Sequence, residues 1–304
     1  MRIGTAIPPT RILTALSVCT ALSVSAGCGS SKTQLAEGEE PNNIFLVGSQ
    51  AGKLTRLTDN EEEEAGALHP SWSPDGRRLV FAQNACEGCP SEIHVLKLGS
   101  THNSRDLRVG AGSRPQWSPD ATKIAFLNGL GDIAVMASGG SRIHRAGLSD
   151  SPTWSPDGRL LAFASRAGRA HYEIRVVSLD GTVVRRLARS NHPTINPAWS
   201  PDGRMIAFAR QERNGRFQID TINANGTGLR VIGTGELSET SPTWSPDGSR
   251  IAFIGGQQGK LDGLYVMTAD GSDLHRLTPR SLTALQPAWS PRGDLIAFAA
   301  RPSS

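Results

Sequence analysis

The chain has 304 residues, enough for one large or two ordinary domains, with 38% hydrophobic and 20% charged residues. A formal net charge of +4, with 5% aromatic residues and no basic stripe, argues against nucleic acid as a partner. Of the four cysteines, Cys19 and Cys28 fall in the first segment, which leaves only Cys86 and Cys89 beyond it.

The first segment is read apart from the fold. Arg2 and Arg11 supply a positive start, and the apolar run 12–24 is too short to span a bilayer. "SAGC" comes next and ends at Cys28. Residues 1–27 are therefore expected to be a secretory signal peptide. The segment resembles a bacterial lipoprotein leader, in which the Cys after a pair of small residues is lipidated; Ala26 and Gly27 are that pair, and Ser25 stands where such leaders carry Leu. The resemblance implies lipidation at Cys28; the alternative is plain cleavage and a soluble exported protein. Residues 28–43 are polar and read as a flexible tether. A lipid at Cys28 would hold the rest of the chain at a membrane without a spanning helix.

Beyond the tether the chain repeats. "PSWSPDG" at Trp72 returns as "PQWSPDA" at Trp117, "PTWSPDG" at Trp154, "PAWSPDG" at Trp199, "PTWSPDG" at Trp244 and "PAWSPRG" at Trp289, which uses all six tryptophans. The spacings are 45, 37, 45, 45 and 45 residues. Each Trp has a Phe nine residues later, from Phe81 to Phe298. Self-similarity at such a period marks a repeat architecture.

One unit contains four short apolar or β-branched runs, for instance "LYVM", "LHRL", "PAWS" and "LIAFA", separated by "ADG" and "SPDG". Asp and Gly there suit tight turns, and nothing sustains a 3.6-residue period. Four strands per repeat, each with aromatic and Gly marks, predict a β-propeller blade. Pro has no backbone donor and suits the start of a barely paired strand. Trp and Phe are expected to be packing plates between blades. The chain enters mid-repeat at Ile44 and leaves mid-repeat at Ala300. The two halves predict an all-β, six-bladed propeller over 44–304, closed by N- and C-terminal strands in one shared blade. Closure removes open sheet edges.

"PxWSPDGxxIAF…YVMxxDGxxxxRLT" resembles the TolB-type propeller, built of PD40 or WD40-like repeats, over residues 44–300. That family's best-known member carries an N-terminal α/β domain, where a short tether is expected here. It works in the bacterial envelope, where its propeller binds a peptidoglycan-associated lipoprotein. The resemblance thus implies a protein-binding or scaffolding module at the cell envelope, facing the periplasm or the exterior. The expected partner is an envelope protein or peptide, the only membrane contact is the lipid anchor, and the chain is expected to be a monomer. Arg292 and Ala121 depart from the motif in turns, where only local stability is at stake.

The "SPDG" and "ADG" turns share one face of the ring, and the loops that vary in length share the other, where binding is expected. Two features fall there: the acidic run Glu61–Glu64, read as a solvated charge run or a site for a basic partner or cation, and "CEGC". Cys86 and Cys89 have no second pair for zinc, and an exported loop favours a disulfide. The residues just before each Pro-x-Trp are His69, Arg114, Ser151, Asn196, Ser241 and Gln286. They are expected to start the innermost strands and ring the channel mouth as a partner-binding site, or else to be plain polar lining of a wet channel. No GxSxG elbow or HExxH helix is present, so the reading is not an enzyme, and no metal or cofactor is expected. The alternative is a polysaccharide lyase or hydrolase with its site at the channel mouth, since some lyases resemble such propellers.

Overall fold

The computed structural model describes residues 42–60, 66–84, 89–99, 106–138, 142–148, 150–167, 171–257 and 262–303. Cys28, Cys86 and the Glu61–Glu64 run lie outside the described residues. Among the described residues there is no helix, and the strands form six four-stranded antiparallel sheets.

Five sheets each take four consecutive strands, over residues 66–111, 113–148, 150–190, 194–231 and 238–276; these are blades 1 to 5. Blade 6 joins the two ends. Its inner strand Leu282–Trp289 pairs with Leu295–Pro302, which pairs with Asn43–Gly48, followed by the outer strand Thr55–Arg56. The closing register runs from Asn43 opposite Ala300 to Gly48 opposite Leu295. The shared blade expected from the two half-repeats is present.

The aromatic plates fill the gaps between blades. Phe81, Phe208, Phe253 and Phe298 are fully buried, as are the apolar residues beside them on the same strands. Phe81 and Trp72 of blade 1 pack with Ile44, Ala297 and Ala299 of blade 6, and the pattern recurs around the ring. Burying each such ring contributes about 1.5–3 kcal/mol.

The turn sequence has two jobs. Within each turn the Ser hydroxyl donates to the Asp carboxylate and accepts the backbone N–H five residues on, as in Ser73 to Asp75 (2.6 Å) and Arg78 N–H to Ser73 (2.9 Å). Between turns, the Gly of one blade faces the Pro of the preceding blade: Gly76 faces Pro291, Gly158 faces Pro119, and Gly293 faces Pro246. The turns thus also meet between neighbouring blades, as at Gly203 with Pro156 and Gly248 with Pro201. Where Arg292 replaces the motif Asp, Asp294 takes over and accepts from the Ser290 hydroxyl at 2.8 Å. Ala121 keeps the left-handed turn conformation with φ 58°.

One local feature differs from the sequence reading. The inner strands begin upstream of the Pro-x-Trp motif, at Gly66 in blade 1 and Leu282 in blade 6. The motif proline sits inside the strand, at a bulge. In blade 1, Leu68 pairs with Ala82 and Ser71 with Val80, so three steps on the inner strand face two on its neighbour. The same irregularity recurs in the other five blades. A bulge leaves one residue unpaired, so a proline costs the ladder no hydrogen bond there.

Candidate functional site

The residue before each of these prolines is in the left-handed region. The φ angles are 55° at His69, 54° at Arg114, 48° at Ser151, 52° at Asn196, 52° at Ser241 and 48° at Gln286. None is Gly, and the residue before a proline ordinarily favours extended backbone. A left-handed non-Gly residue costs roughly 1–2 kcal/mol and persists where its surroundings enforce it. Here the enforcement comes from the strand pairs that flank the bulge on both sides. Bulges re-aim side chains. All six residues line one cavity of about 130 Å³ in the channel. The structure thus brings all six together, within the inner strands rather than at their starts.

Side chains tie neighbouring blades across this cavity. The Gln286 Oε1 accepts the His69 backbone N–H at 3.0 Å. The Ser151 Oγ accepts from Asn196 Nδ2 at 3.0 Å and from Arg114 Nη1. Both His69 ring nitrogens are buried without a protein partner. Burial, and then the Arg114 charge, hold the His69 pKa down at about 3, so its imidazole is neutral near pH 7. Among the described residues that line the cavity, Arg114 carries the only formal charge and none is acidic.

A second cavity of about 280 Å³ lies at the turn end of the channel, lined by Trp72, Trp117, Trp154, Trp244 and Trp289 with motif Ser and Pro residues. The indoles alternate. Trp72, Trp154 and Trp244 each donate Nε1–H at 3.1 Å to the carbonyl of Ala288, Gln116 and Ala198 on the preceding blade. The Nε1–H groups of Trp117, Trp199 and Trp289 are buried without a protein partner. Arg78 covers the Trp117 ring at 4.7 Å and Arg250 the Trp289 ring at 5.1 Å. These contacts make the tryptophans inter-blade packing elements, as the repeat suggests.

Three buried carboxylates, Glu173, Asp220 and Glu239, lie elsewhere and were not singled out in the sequence, and the last two are shifted by their burial. Glu239 accepts the Thr234 backbone N–H at 2.9 Å and hydroxyl at 2.8 Å, and the Ile219 N–H of the preceding blade at 3.3 Å. Asp220 accepts from Arg210 Nε. Burial pushes both pKa values up. Both act as local clamps, and neither lines the channel cavity. Cys89 is disulfide-bonded. No group of three or more His, Cys, Asp or Glu able to hold a metal occurs among the described residues.

A closed six-bladed propeller with a polar ring in its channel defines a class that comparison makes specific. The TolB beta propeller domain family, PD40, matches residues 29–193 and 188–304. The chain belongs to this family. Over 93 residues it is 35% identical to an uncharacterized peptidase, YuxL, of Bacillus subtilis, covering 30% of this chain and 13% of that protein. Over 87 residues it is 27% identical to the Tol-Pal system protein TolB of Alcanivorax borkumensis, covering 28% of this chain and 19% of that protein. The chain thus spans less than a fifth of these relatives. Among solved structures, a putative TolB from Agrobacterium tumefaciens superposes with a TM-score of 0.71 at 22% identity, over 88% of this chain and 100% of that one. That likeness is one of fold.

Proposed function

We propose that the chain is an exported, lipid-anchored propeller that acts as a protein-binding or scaffolding module at the bacterial cell envelope. Its contact point is the ring of His69, Arg114, Ser151, Asn196, Ser241 and Gln286. One observation carries this reading. Six identical backbone bulges present six polar side chains of five different types, so the backbone device repeats while the surface it displays does not. Packing alone requires no such variety. The similarity to a Tol-Pal system protein supports the envelope setting. Cys28 is the lipidated residue and residues 28–43 the tether, which leaves the propeller free to meet a partner close to the membrane.

The test is crosslinking of the tagged full chain in its native cells, with mass spectrometry of the captured species. Arg114→Asn and Asn196→Asp serve as controls, because both new residues tolerate a left-handed backbone. Capture of a defined envelope protein, lost in the controls, supports the reading. Capture unaffected by the controls contradicts it. Metal-dependent turnover of an extracellular polymer or peptide, abolished by His69→Asn, replaces it with the lyase or hydrolase alternative.

A further inference from the structure

We infer that the channel ring recognises a carboxylate, presented by a partner as an Asp or Glu side chain or as a chain terminus. The inference rests on the binding-module reading and names the chemistry of its central contact.

The donor inventory of the cavity points this way. Arg114 brings a guanidinium, which has only donors and matches a carboxylate in shape. Asn196 and Gln286 bring amide groups; one N–H each of Asn196 and Arg114 is given to Ser151, which leaves their other N–H groups as donors, and the Gln286 oxygen is already engaged by the His69 backbone N–H. The neutral His69 imidazole borders the same lining and adds no opposing negative charge, its two ring nitrogens being buried without a protein partner. Ser241 adds a hydroxyl to the same lining. Among the described lining residues, no acidic side chain opposes these donors. A cation in the same place would face Arg114 and find no carboxylate among the described lining residues.

Size and setting agree. A water needs roughly 10–15 Å³ of such volume, so about 130 Å³ admits a carboxylate with its adjoining methylene carbons. The flanking prolines, Pro152, Pro197, Pro242 and Pro287 among them, wall the cavity with apolar surface. That surface lowers the local dielectric and strengthens a charge-assisted hydrogen bond. The left-handed bulges hold the donors on rigid strands before a ligand arrives, which cuts the entropy lost on binding.

The experiment uses the full chain with two probes of equal shape, N-acetyl-aspartate amide and N-acetyl-asparagine amide. Binding is read from the NMR signals of the His69 ring and the Arg114 side chain. The expected result is saturable binding of the aspartate probe in the millimolar range, at least tenfold weaker binding of the asparagine probe, and loss of aspartate binding in both variants. Arg114→Asn removes the cation, and Asn196→Asp places a like charge in the cavity with almost no change in shape. Retained circular dichroism and unfolding midpoint show that each variant is folded. Equal binding of the two probes, binding unchanged in both folded variants, or no ring perturbation at 100 mM aspartate probe overturns the inference. If partner capture in cells still depends on Arg114 and Asn196 while the aspartate probe fails, the carboxylate assignment falls and the binding-module reading stands.

Discussion

The side-chain amide of Asn196 donates to the hydroxyl of Ser151 at 3.0 Å, across the boundary between blades 3 and 4. The same hydroxyl accepts from Arg114 on blade 2, so one serine ties three blades at the channel. Removing it leaves two donors to find water instead. Ser151→Ala is expected to cost about 0.5–1.5 kcal/mol, read as a lowered urea midpoint with an unchanged slope. A midpoint equal to wild type would show that the hydroxyl is not a tie.

His69 is expected to remain neutral through the physiological range. Its folded pKa, about 3, lies below the ordinary histidine value of 6.5. In the unfolded chain it takes up a proton as pH falls through that value, while in the folded chain it does not. Its contribution therefore opposes folding progressively between about pH 6.5 and 3. The check is the His69 ring carbon shift, which should stay flat from about pH 8 to 5. A titration near 6.5 would mean that the ring is solvated, and the electrostatic description of the site would fail with it.

Ala121 occupies the left-handed turn position that other turns fill with Gly, such as Gly76 at φ 67° and Gly158 at φ 69°. Ala121→Gly trades the steric cost of a left-handed Cβ against the greater freedom of Gly in the unfolded chain. The first effect is larger, so the variant should be about 0.5 kcal/mol more stable by urea unfolding. The reverse change, Gly158→Ala, should be destabilising by about 1 kcal/mol on the same grounds. If both variants shift the same way, turn strain does not decide these positions.

The turn carboxylates add a small sensitivity to acid. The Ser245 hydroxyl and then the Ser249 backbone N–H hold the Asp247 pKa at about 2. The Thr268 hydroxyl and then the Ser272 N–H do the same for Asp270, also about 2. Their folded values lie below the ordinary 3.8, so the stabilisation is complete above that pH and is lost as pH falls towards 2. Both side chains face solvent, so each contribution is small and they act together. Carboxyl carbon NMR should place both midpoints near 2, and Ser245→Ala should move the Asp247 midpoint towards 3.8 while leaving Asp270 in place. Midpoints near 3.8 in the wild type would remove this account of the turns.

The propeller was legible because its largest side chains repeat. Six Trp-to-Phe intervals report six equivalent interfaces, and the half-repeats at Ile44 and Ala300 report the closing blade. The bulges were not legible. The six residues that adopt φ near 50° are His, Arg, Ser, Asn, Ser and Gln; only His and Asn are enriched in left-handed backbone, and the following proline points to extended structure instead. What enforces them is strand pairing on both sides, which acts at tertiary level. A signal did exist, since proline inside a strand implies a bulge or an edge, and an inner strand is not an edge. The Asp294 substitution for a missing motif Asp was hidden for a similar reason: it depends on which side chain reaches Ser290, and that is set by the turn path. The positions of the six ring residues in the chain were evident, whereas their shared cavity and the neutral, unpartnered His69 ring required the fold.

The central claim is that the channel ring is the working surface. The most direct measurement places a photo-activatable residue at Ser241, in the ring, and separately at Val231, on an exposed outer strand, in the full chain in its native cells. The account predicts a discrete crosslinked partner from position 241, absent from position 231 and lost when Arg114→Asn is added. A partner captured equally from both positions, or from 231 alone, would contradict it and move the working surface to the outside of the propeller.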